Sequence, residues 1–207
     1  MEQTANFDKK PTSLRYYQDG VPCVDLAHWR LSINGLVRNE LHLSYEDILA
    51  LPQTEESRRM VCVCNWSIRR PWKGVLLADV IRLVGVEQPE ALYLRQISIG
   101  TPEKGVYEAT IPLGQALDHS ALLIHSVDNG PLPPEQGFPL RLFDFALYGY
   151  KNVKGLQTLE ITDRYELGEW EERAGYSLDG TIRPKKYWMV DLAKFGVARR
   201  PGEIKDL

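Results

Sequence analysis

The sequence predicts an α+β domain with mixed, partly barrel-like β-sheets, short helices and long loops. Three observations support this fold class. Short apolar segments with strand-like patterns recur along the 207 residues, a few segments have helical spacing, and Gly, Pro and Asn separate them. We see no internal repeat and no linker, and the length suffices for one hydrophobic core. We therefore expect a single domain over residues 1–207.

The N-terminal quarter predicts an arm, a hairpin and a helix. Residues 1–13 are polar and predict an irregular arm. Apolar and polar residues alternate over 29–34, which is typical of a half-buried strand, and the Asn-Gly pair at its end favours a hairpin turn. Ser44 and Asp47 have the spacing of a capping box, so we expect a short helix there, ended by a proline.

The later elements follow from the same kinds of pattern. An apolar segment at 60–63 predicts a strand that runs into two cysteines, and the Pro-Trp-Lys-Gly segment 71–74 predicts a turn. Residues 77–84 have the apolar spacing of a helix. Residues 179–207 are charged and aromatic, and we expect them to wrap the surface. Further strands are expected at 92–98, 106–111, 121–127, 140–145 and 156–162, with a helical turn at 112–118.

Composition argues against several classes of protein. The formal net charge is −3 and the basic clusters are short, so we expect no nucleic-acid partner. No stretch approaches the roughly 20 apolar residues that a membrane span needs. The polar start lacks the apolar core of a secretory signal, which predicts a cytoplasmic protein if Met1 is the native start and a periplasmic one if a leader has been removed. Three cysteines are too few for a disulfide framework.

Two regions carry candidate chemistry. Cys62 and Cys64 lie two residues apart in the chain. For each of them, an ordinary buried, small hydrophobic residue explains the pattern as well as a functional thiol does. A zinc site would need about four Cys or His ligands, and the four histidines are scattered. Arg141 and Lys154 lie among glycines and suit a phosphate, although an exposed basic loop would have the same composition. Hydrolase, P-loop and dinucleotide-binding motifs are absent from the sequence.

The order of these residues resembles the sulfite oxidase-type molybdopterin-domain family. The similarity covers roughly residues 14–178 and includes a C-x-x-N motif that begins at Cys62 and a Gly-Tyr-Lys-Asn-Val-Lys segment at 149–154. The cysteine motif and the Pro-Trp pair after it are most similar to the branch that contains the catalytic subunits of bacterial protein-methionine-sulfoxide reductases. The resemblance implies the sulfite oxidase molybdopterin-domain fold.

The family resemblance also implies a cofactor and a set of site residues. The cofactor is molybdenum–molybdopterin (Moco), and Cys62 is expected to bind the metal and to be a catalytic residue. Tyr165 falls near the family's active-site tyrosine and is the second catalytic candidate. Cys64 is unusual in the motif, and is either a buried thiol or a residue that tunes or protects the site. The candidate cofactor-binding residues are Tyr16, Tyr17, Asn65, Ser98, Gln136, Arg141, Asn152, Val153 and Lys154.

The activity that the resemblance implies is oxygen-atom transfer at a Cys-ligated molybdenum. The expected substrate is a small-molecule or protein-borne S- or N-oxide, with sulfite oxidation as the alternative reaction. A separate electron-transfer partner is expected, because the sequence has no haem, flavin or nicotinamide motif. Two other readings stay open at this point: a non-catalytic relative that binds a cofactor or an anion, and a zinc or redox-thiol protein.

Overall fold

The computed structural model describes residues 22–86, 89–101 and 105–205. Within these ranges the chain forms two β-sheets, of five and seven strands, and four short α-helices. This confirms the predicted α+β class, and neither sheet closes into a barrel in the part described. No helix within these ranges has the length and apolar character to cross a membrane.

The elements are numbered here in chain order. The strands are β1 (Leu31–Gly35), β2 (Leu41–Leu43), β3 (Thr54–Cys62), β4 (Trp66–Leu76), β5 (Tyr93–Ser98), β6 (Glu108–Pro112), β7 (Leu122–Val127), β8 (Gly130–Pro131), β9 (Arg141–Phe143), β10 (Leu156–Thr162), β11 (Lys186–Met189) and β12 (Lys194–Val197). The α-helices are α1 (Tyr45–Ala50), α2 (Leu77–Val84), α3 (Leu113–Asp118) and α4 (Glu169–Ala174). Single 3-10 turns occupy Pro134–Gln136, Gly149–Lys151 and Val190–Leu192.

The five-stranded sheet has the order β2-β1-β10-β5-β6 and packs against α2 and α3 in the larger core. Strand β1 pairs with β10 in parallel, and the other pairs are antiparallel. The predicted helices are confirmed. Ser44 and Asp47 form the expected capping box of α1, and α2 ends at Gly85, whose positive φ of 61° suits glycine.

The seven-stranded sheet is organised around β4. The chain of paired strands runs β12-β11-β4-β7-β8, while β3 pairs with β4 and β9 pairs with β7. One end of β4 pairs with β11 and the other with β7. A buried aromatic cluster lies on this sheet, with the rings of Trp72 and Phe143 4.9 Å apart and those of Phe143 and Phe145 stacked at 4.9 Å.

The turn predicted at 71–74 is wrong, because β4 runs straight through these residues. The carbonyl of Pro71 accepts a hydrogen bond from the amide of Asp128 (3.2 Å). In a β-strand, the backbone N and O atoms of one residue face the same neighbouring strand. The N–H that Pro71 lacks would therefore face the position just beyond the end of β7. Gly74 marks a register shift, and a Cβ there would lie 2.1 Å from the Leu123 carbonyl oxygen.

The C-terminal segment adds to the seven-stranded sheet. Within 179–205, β11 and β12 form an antiparallel pair at its edge. Ile182, Tyr187, Met189 and Ile204 are buried, so this segment contributes to the core as well as covering the surface. Buried residues alternate with exposed or half-buried ones in β11 over only four positions, which is too short a pattern to stand out in the sequence.

Candidate active site

The tight turn between β3 and β4 carries both cysteines and is called the thiol turn (residues 62–66). Cys62 pairs with Trp66 across the hairpin, and the amide of Asn65 donates to the Cys62 carbonyl (3.1 Å). Asn65 has a positive φ of 66°, a conformation that asparagine tolerates better than most residues. Cys62 is half-buried and Cys64 is exposed, so the prediction that Cys64 is a buried thiol is wrong.

The sulfur of Cys62 is turned back over the backbone of the thiol turn. The amide N–H of Cys64 points at Cys62 Sγ, with the nitrogen 3.4 Å from the sulfur. A hydrogen bond to the charged form stabilises a thiolate relative to a thiol. The thiolate is the form in which cysteine binds a metal, and thiolates suit metals bound mainly by sulfur. The turn therefore gives the Cys62 sulfur an environment that suits a thiolate ligand.

The thiol turn is fixed from the C-terminal side of the sheet. The amide of Trp188 donates to the Asn65 carbonyl (2.9 Å), and β11 pairs with β4 at Trp188–Trp66. The buried Arg59 guanidinium makes two bonds to the Asp191 carboxylate (2.7 and 2.8 Å) directly after β11. This ion pair lowers the pKa of Asp191 against the opposing effect of its burial.

Tyr176 lies near the thiol turn, and two further aromatic side chains pack against it. Burial, followed by the Cys64 and Cys62 thiols, raises the pKa of Tyr176. The ring of Tyr176 stacks on Trp170 of α4 (5.5 Å) and meets Tyr150 edge-on (5.1 Å). All three side chains are half-buried, so they form an apolar flank that is still reached by solvent.

Arg141, Lys154 and Gln136 form a second group, called the cation cluster. The backbones of Arg141 and Lys154 form a β-bridge. Arg141 Nη1 donates to the Gln136 carbonyl (2.8 Å), and its guanidinium lies 4.0 Å over the Phe143 ring. Gly137 is required here, because it has a φ of 114° and a Cβ would lie 3.0 Å from the Lys154 Cβ. Residues 5 to 18 positions apart in the chain are thus held together.

The loop 149–154 connects the neighbourhood of the thiol turn to the cation cluster. A Cβ on Gly149 would lie 3.6 Å from Met60 Sδ and 3.7 Å from the Val61 carbonyl oxygen, in the strand that carries Cys62. Five residues later, Lys154 reaches the bridge with Arg141. The loop therefore spans the distance between a candidate metal ligand and a pair of cations.

The other candidates in this region support the loop. The amide oxygen of Asn152 accepts from the Asp144 amide (2.8 Å), and its NH2 group donates to the Asp144 carbonyl (3.3 Å). The amide of Val153 donates to Gln96 Oε1 (3.1 Å). Ser98 is buried, and its hydroxyl accepts from the Tyr107 amide (2.7 Å). The structure therefore uses Asn152 and Val153 to brace the loop, with Ser98 in the strand beneath it.

Tyr165 lies in a separate, buried polar group. Lys151 Nζ donates to the Tyr165 hydroxyl (2.5 Å) and pairs with the Glu171 carboxylate, and Tyr165 donates to the same carboxylate (2.9 Å). Burial lowers the pKa of Lys151 to about 8 and raises that of Tyr165 to about 12, so both groups hold their protons at neutral pH. The Lys151 ammonium lies 5.7 Å from the centre of the Tyr150 ring, which links this group to the aromatic flank.

Comparison with known proteins identifies the domain. A family model described as an oxidoreductase molybdopterin-binding domain matches residues 18–170. The chain belongs to this family. The resemblance that the sequence motifs predicted is therefore confirmed.

Relatives of this molybdopterin-binding domain include three curated proteins. A putative protein-methionine-sulfoxide reductase subunit, YedZ1, from Azospira oryzae is 35% identical over 82% of this chain and 62% of its own length. The uncharacterized oxidoreductase YuiH of Bacillus subtilis is 36% identical over 75% of this chain and 76% of its own. The protein-methionine-sulfoxide reductase catalytic subunit MsrP of Gluconobacter oxydans is 31% identical over 76% and 55%. The chain therefore spans little more than half the length of some of its relatives.

A solved structure shows the same molybdopterin-domain fold. The sulfane dehydrogenase SoxCD from Paracoccus pantotrophus matches with a TM-score of 0.69 at 21% identity, over 83% of this chain and 50% of that one. At this identity the match concerns the fold alone. It agrees with the sulfite oxidase-type fold class that the sequence predicted.

The residues present fit the cofactor that the molybdopterin-binding family implies. The buried oxygen Oε1 of Gln136 has no hydrogen-bond partner within the described ranges, beside the two cations of the cluster. An amide oxygen in this position suits an N–H donor such as those of a pterin, and arginine and lysine suit a phosphate. No group of three His, Cys, Asp or Glu side chains in the described ranges has the arrangement of a metal site.

Sequence reasoning missed several residues of this molybdopterin-binding domain. Gln96 braces the loop through both the Val153 amide and the Lys151 carbonyl (2.9 Å). Its signal was a polar residue at an inward position of β5, where side chains alternate between exposed and buried. No sequence pattern indicated Trp170 and Tyr176, because only the fold brings Tyr176 near the thiol turn and Trp170 against Tyr176. Two of the cofactor-binding candidates, Tyr16 and Tyr17, lie outside the described residues.

Proposed function

We propose that this chain is a molybdopterin-dependent oxidoreductase that carries out oxygen-atom transfer at a molybdenum bound by Cys62. The observation that carries the proposal is the thiol turn, in which the Cys64 amide donates to Cys62 Sγ within a domain of the molybdopterin-binding family. A half-buried thiolate with a backbone donor is a preformed ligand for a metal of high charge.

The proposed binding roles follow from charge and hydrogen-bonding capacity. Arg141 and Lys154 would hold the phosphate of the cofactor, arginine through its planar fork and lysine as a point charge. Gln136 would accept a hydrogen bond from the pterin through its buried Oε1. Asn152 and Val153 hold the loop in place, so their contribution to binding is to fix the position of Lys154.

The remaining residues would shape the reaction. When bound, the cofactor supplies the two-electron change that oxygen-atom transfer requires. The raised pKa of Tyr165, about 12, keeps a proton on its hydroxyl at neutral pH. Lys151 and Glu171 hold that hydroxyl in position. The half-buried rings of Tyr176 and Trp170 would exclude water on one side of the thiol turn.

The proposed substrate is a sulfur-borne oxide, with reduction of the S-oxide as the direction of reaction. Two observations support this choice. Relatives from Azospira and Gluconobacter carry names that refer to protein-methionine-sulfoxide reductase. Aromatic rings flank the thiol turn, and divalent sulfur and its methyl group pack well on aromatic faces. Electrons would come from a separate partner, since this sequence contains no haem, flavin or nicotinamide motif.

Metal analysis tests the ligand assignment. Protein made in a host that synthesises the cofactor is compared with Cys62→Ser and with Cys64→Ser as a matched control. We expect the wild type and Cys64→Ser to contain stoichiometric molybdenum, because serine keeps the backbone amide that faces Cys62. Cys62→Ser should lose turnover and most of its molybdenum. Equal molybdenum content together with equal turnover in Cys62→Ser would overturn the assignment.

Steady-state assays test the substrate. Reduction of methionine sulfoxide is measured with a reduced viologen dye, and oxidation of sulfite with ferricyanide as acceptor. The proposal predicts a higher kcat/KM for methionine sulfoxide. A higher value for sulfite would transfer the assignment to the alternative reaction, and bound molybdenum without turnover in either assay would favour a non-catalytic relative.

A further inference from the structure

We propose that the thiol turn is an oxidation site: in the cofactor-free chain, Cys62 and Cys64 close into an intramolecular disulfide when a small disulfide such as oxidised glutathione is present. The oxidation itself depends only on the two thiols. Its consequence, that the metal ligand is masked until a reductant acts, rests on the proposed function.

The geometry brings the two side chains within reach of each other. Cys62 Sγ lies 3.4 Å from the backbone nitrogen of Cys64, and only two bonds separate that nitrogen from the Cys64 Cβ. The hydrogen bond from the Asn65 amide to the Cys62 carbonyl (3.1 Å) folds the backbone back on itself. Disulfides require a Cα separation of roughly 4.4–6.8 Å, which two residues two apart can reach where the chain is bent. The proposal requires that a rotation about the Cys64 Cα–Cβ bond brings the two sulfurs together.

The exposure of the two thiols sets the order of events. Cys64 is exposed and meets a dissolved disulfide first, whereas Cys62 is half-buried behind it. Exposed thiols react faster than buried ones, and the Cys62 sulfur lies 3.4 Å from the backbone nitrogen of Cys64, next to the residue that captures the oxidant. The accessible residue thus captures the oxidant, and the sheltered residue resolves the product.

The two steps balance as thiol–disulfide exchange. The Cys64 thiolate attacks one sulfur of oxidised glutathione, a mixed disulfide forms, and one glutathione thiolate leaves. The Cys62 thiolate then attacks the Cys64 sulfur and expels the second glutathione thiolate. Two protein thiols are oxidised and one small disulfide is reduced to two thiols; the two protons lost by Cys62 and Cys64 are taken up by the two glutathione thiolates, so no net proton is released.

The Cys62–Cys64 disulfide should be more abundant than the mixed disulfide with glutathione, because the second step is intramolecular. A tether this short gives an effective concentration of at least the order of 1 mM. Against about 0.1 mM reduced glutathione, the ring form should therefore exceed the mixed disulfide by about tenfold.

Intact-mass analysis tests the proposal on the full-length, cofactor-free protein. The protein is incubated with oxidised glutathione, alkylated and weighed, and peptides are mapped without reduction. We expect a loss of about 2 Da per chain and a peptide in which Cys62 is linked to Cys64. Cys23 is also exposed, so a glutathione adduct on it is mapped separately, and the Cys23→Ser variant should show the same 2 Da loss and the same Cys62–Cys64 peptide.

Matched variants make the result decisive. Cys64→Ser and Cys62→Ser each remove one partner but keep the other, so each should retain a glutathione adduct and show no 2 Da loss. A wild-type chain that accumulates a mixed disulfide on Cys64 with Cys62 still reduced would overturn the proposal. So would a link from Cys23 to either residue of the turn, or a 2 Da loss that persists in Cys64→Ser.

Loading experiments separate this inference from the proposed function. Oxidised chains should take up at least tenfold less molybdenum cofactor than reduced chains, and dithiothreitol should restore uptake. If the disulfide forms while neither state takes up cofactor, the proposed function fails and the oxidation site stands. If both states take up cofactor equally, Cys62 is not masked and the regulatory consequence is lost.

Discussion

Replacing Lys151 by methionine should destabilise the cofactor-free protein by about 3 kcal/mol, the lower end of the range for breaking a buried ion pair. The Lys151 and Glu171 side chains are only 1% and 2% exposed, so the variant leaves a carboxylate in the interior without its cation. The Tyr165 hydroxyl and the Gly168 amide still donate to Glu171, which is why the lower end applies. A chain of this size loses about 2–4 °C per kcal/mol, so the unfolding temperature should fall by about 6–12 °C.

The double variant Lys151→Met/Glu171→Gln is the matched control. It removes both charges but keeps an oxygen that accepts the Gly168 amide bond, so it should be more stable than Lys151→Met alone by at least about 1 kcal/mol. Urea unfolding followed by tryptophan fluorescence measures both free energies. A loss below about 1 kcal/mol in the single variant, or an equally unstable double variant, would refute the reasoning that the two charges stabilise each other.

Four further outcomes are expected. Arg141→Gln should weaken retention of the cofactor by about 10- to 100-fold, measured as molybdenum content after dilution, because one charge-assisted bond is lost; unchanged retention would place the phosphate elsewhere. The hydrogen bond to Asp144 raises the pKa of His119, so its contribution to stability is present below about pH 6.5 and is lost as pH rises through the raised folded-state pKa; His119→Gln should therefore lower the urea midpoint more at pH 5.5 than at pH 9. Asn65→Val should destabilise the cofactor-free chain by about 1–2 kcal/mol and Asn65→Gly by less, since φ is positive there; equal effects would contradict this. Trp170→Ala should raise KM for methionine sulfoxide about 2- to 10-fold with kcat little changed, and an altered kcat alone would argue against a role in binding.

The sequence predicted elements whose stabilising interactions are local. Ser44 and Asp47 cap α1 through bonds three residues apart, and the apolar spacing of α2 is contained within its own two turns. The turn at 71–74 failed for the opposite reason. Proline and glycine favour a turn locally, but pairing with β3 along the whole of β4 overrides that preference.

The candidate site shows the same division. The C-x-x-N motif pointed to Cys62 as the candidate ligand, and the amide that donates to its sulfur lies only two residues away in the chain. Family resemblance located Arg141 and Lys154, which the fold brings together through a β-bridge. The hydrogen bond between Gln96 and Val153 joins residues 57 positions apart in the chain, and no local sequence pattern around either residue encodes it.

Asp144 is a buried acidic residue whose surroundings compensate for its burial. A carboxylate in the interior costs free energy unless its charge is compensated. His119 donates to the Asp144 carboxylate at 2.8 Å, and the Ala146 amide does so at 2.9 Å. The Asn152 side chain accepts a hydrogen bond from the Asp144 amide and donates one to the Asp144 carbonyl. The charge is therefore accommodated, and it fixes one end of the loop that carries Lys154.

The pairing of β11 with β4 has a consequence for biosynthesis. Trp188 and Met189 lie opposite Trp66 and Ser67, so the strand that locks the thiol turn leaves the ribosome more than 120 residues after the turn itself. Until then the hairpin has an unpaired edge at the residues next to Cys62. Chains that end before residue 186 should therefore fold much of the larger core. Their thiol turn, which carries Cys62, would lack its pairing with β11.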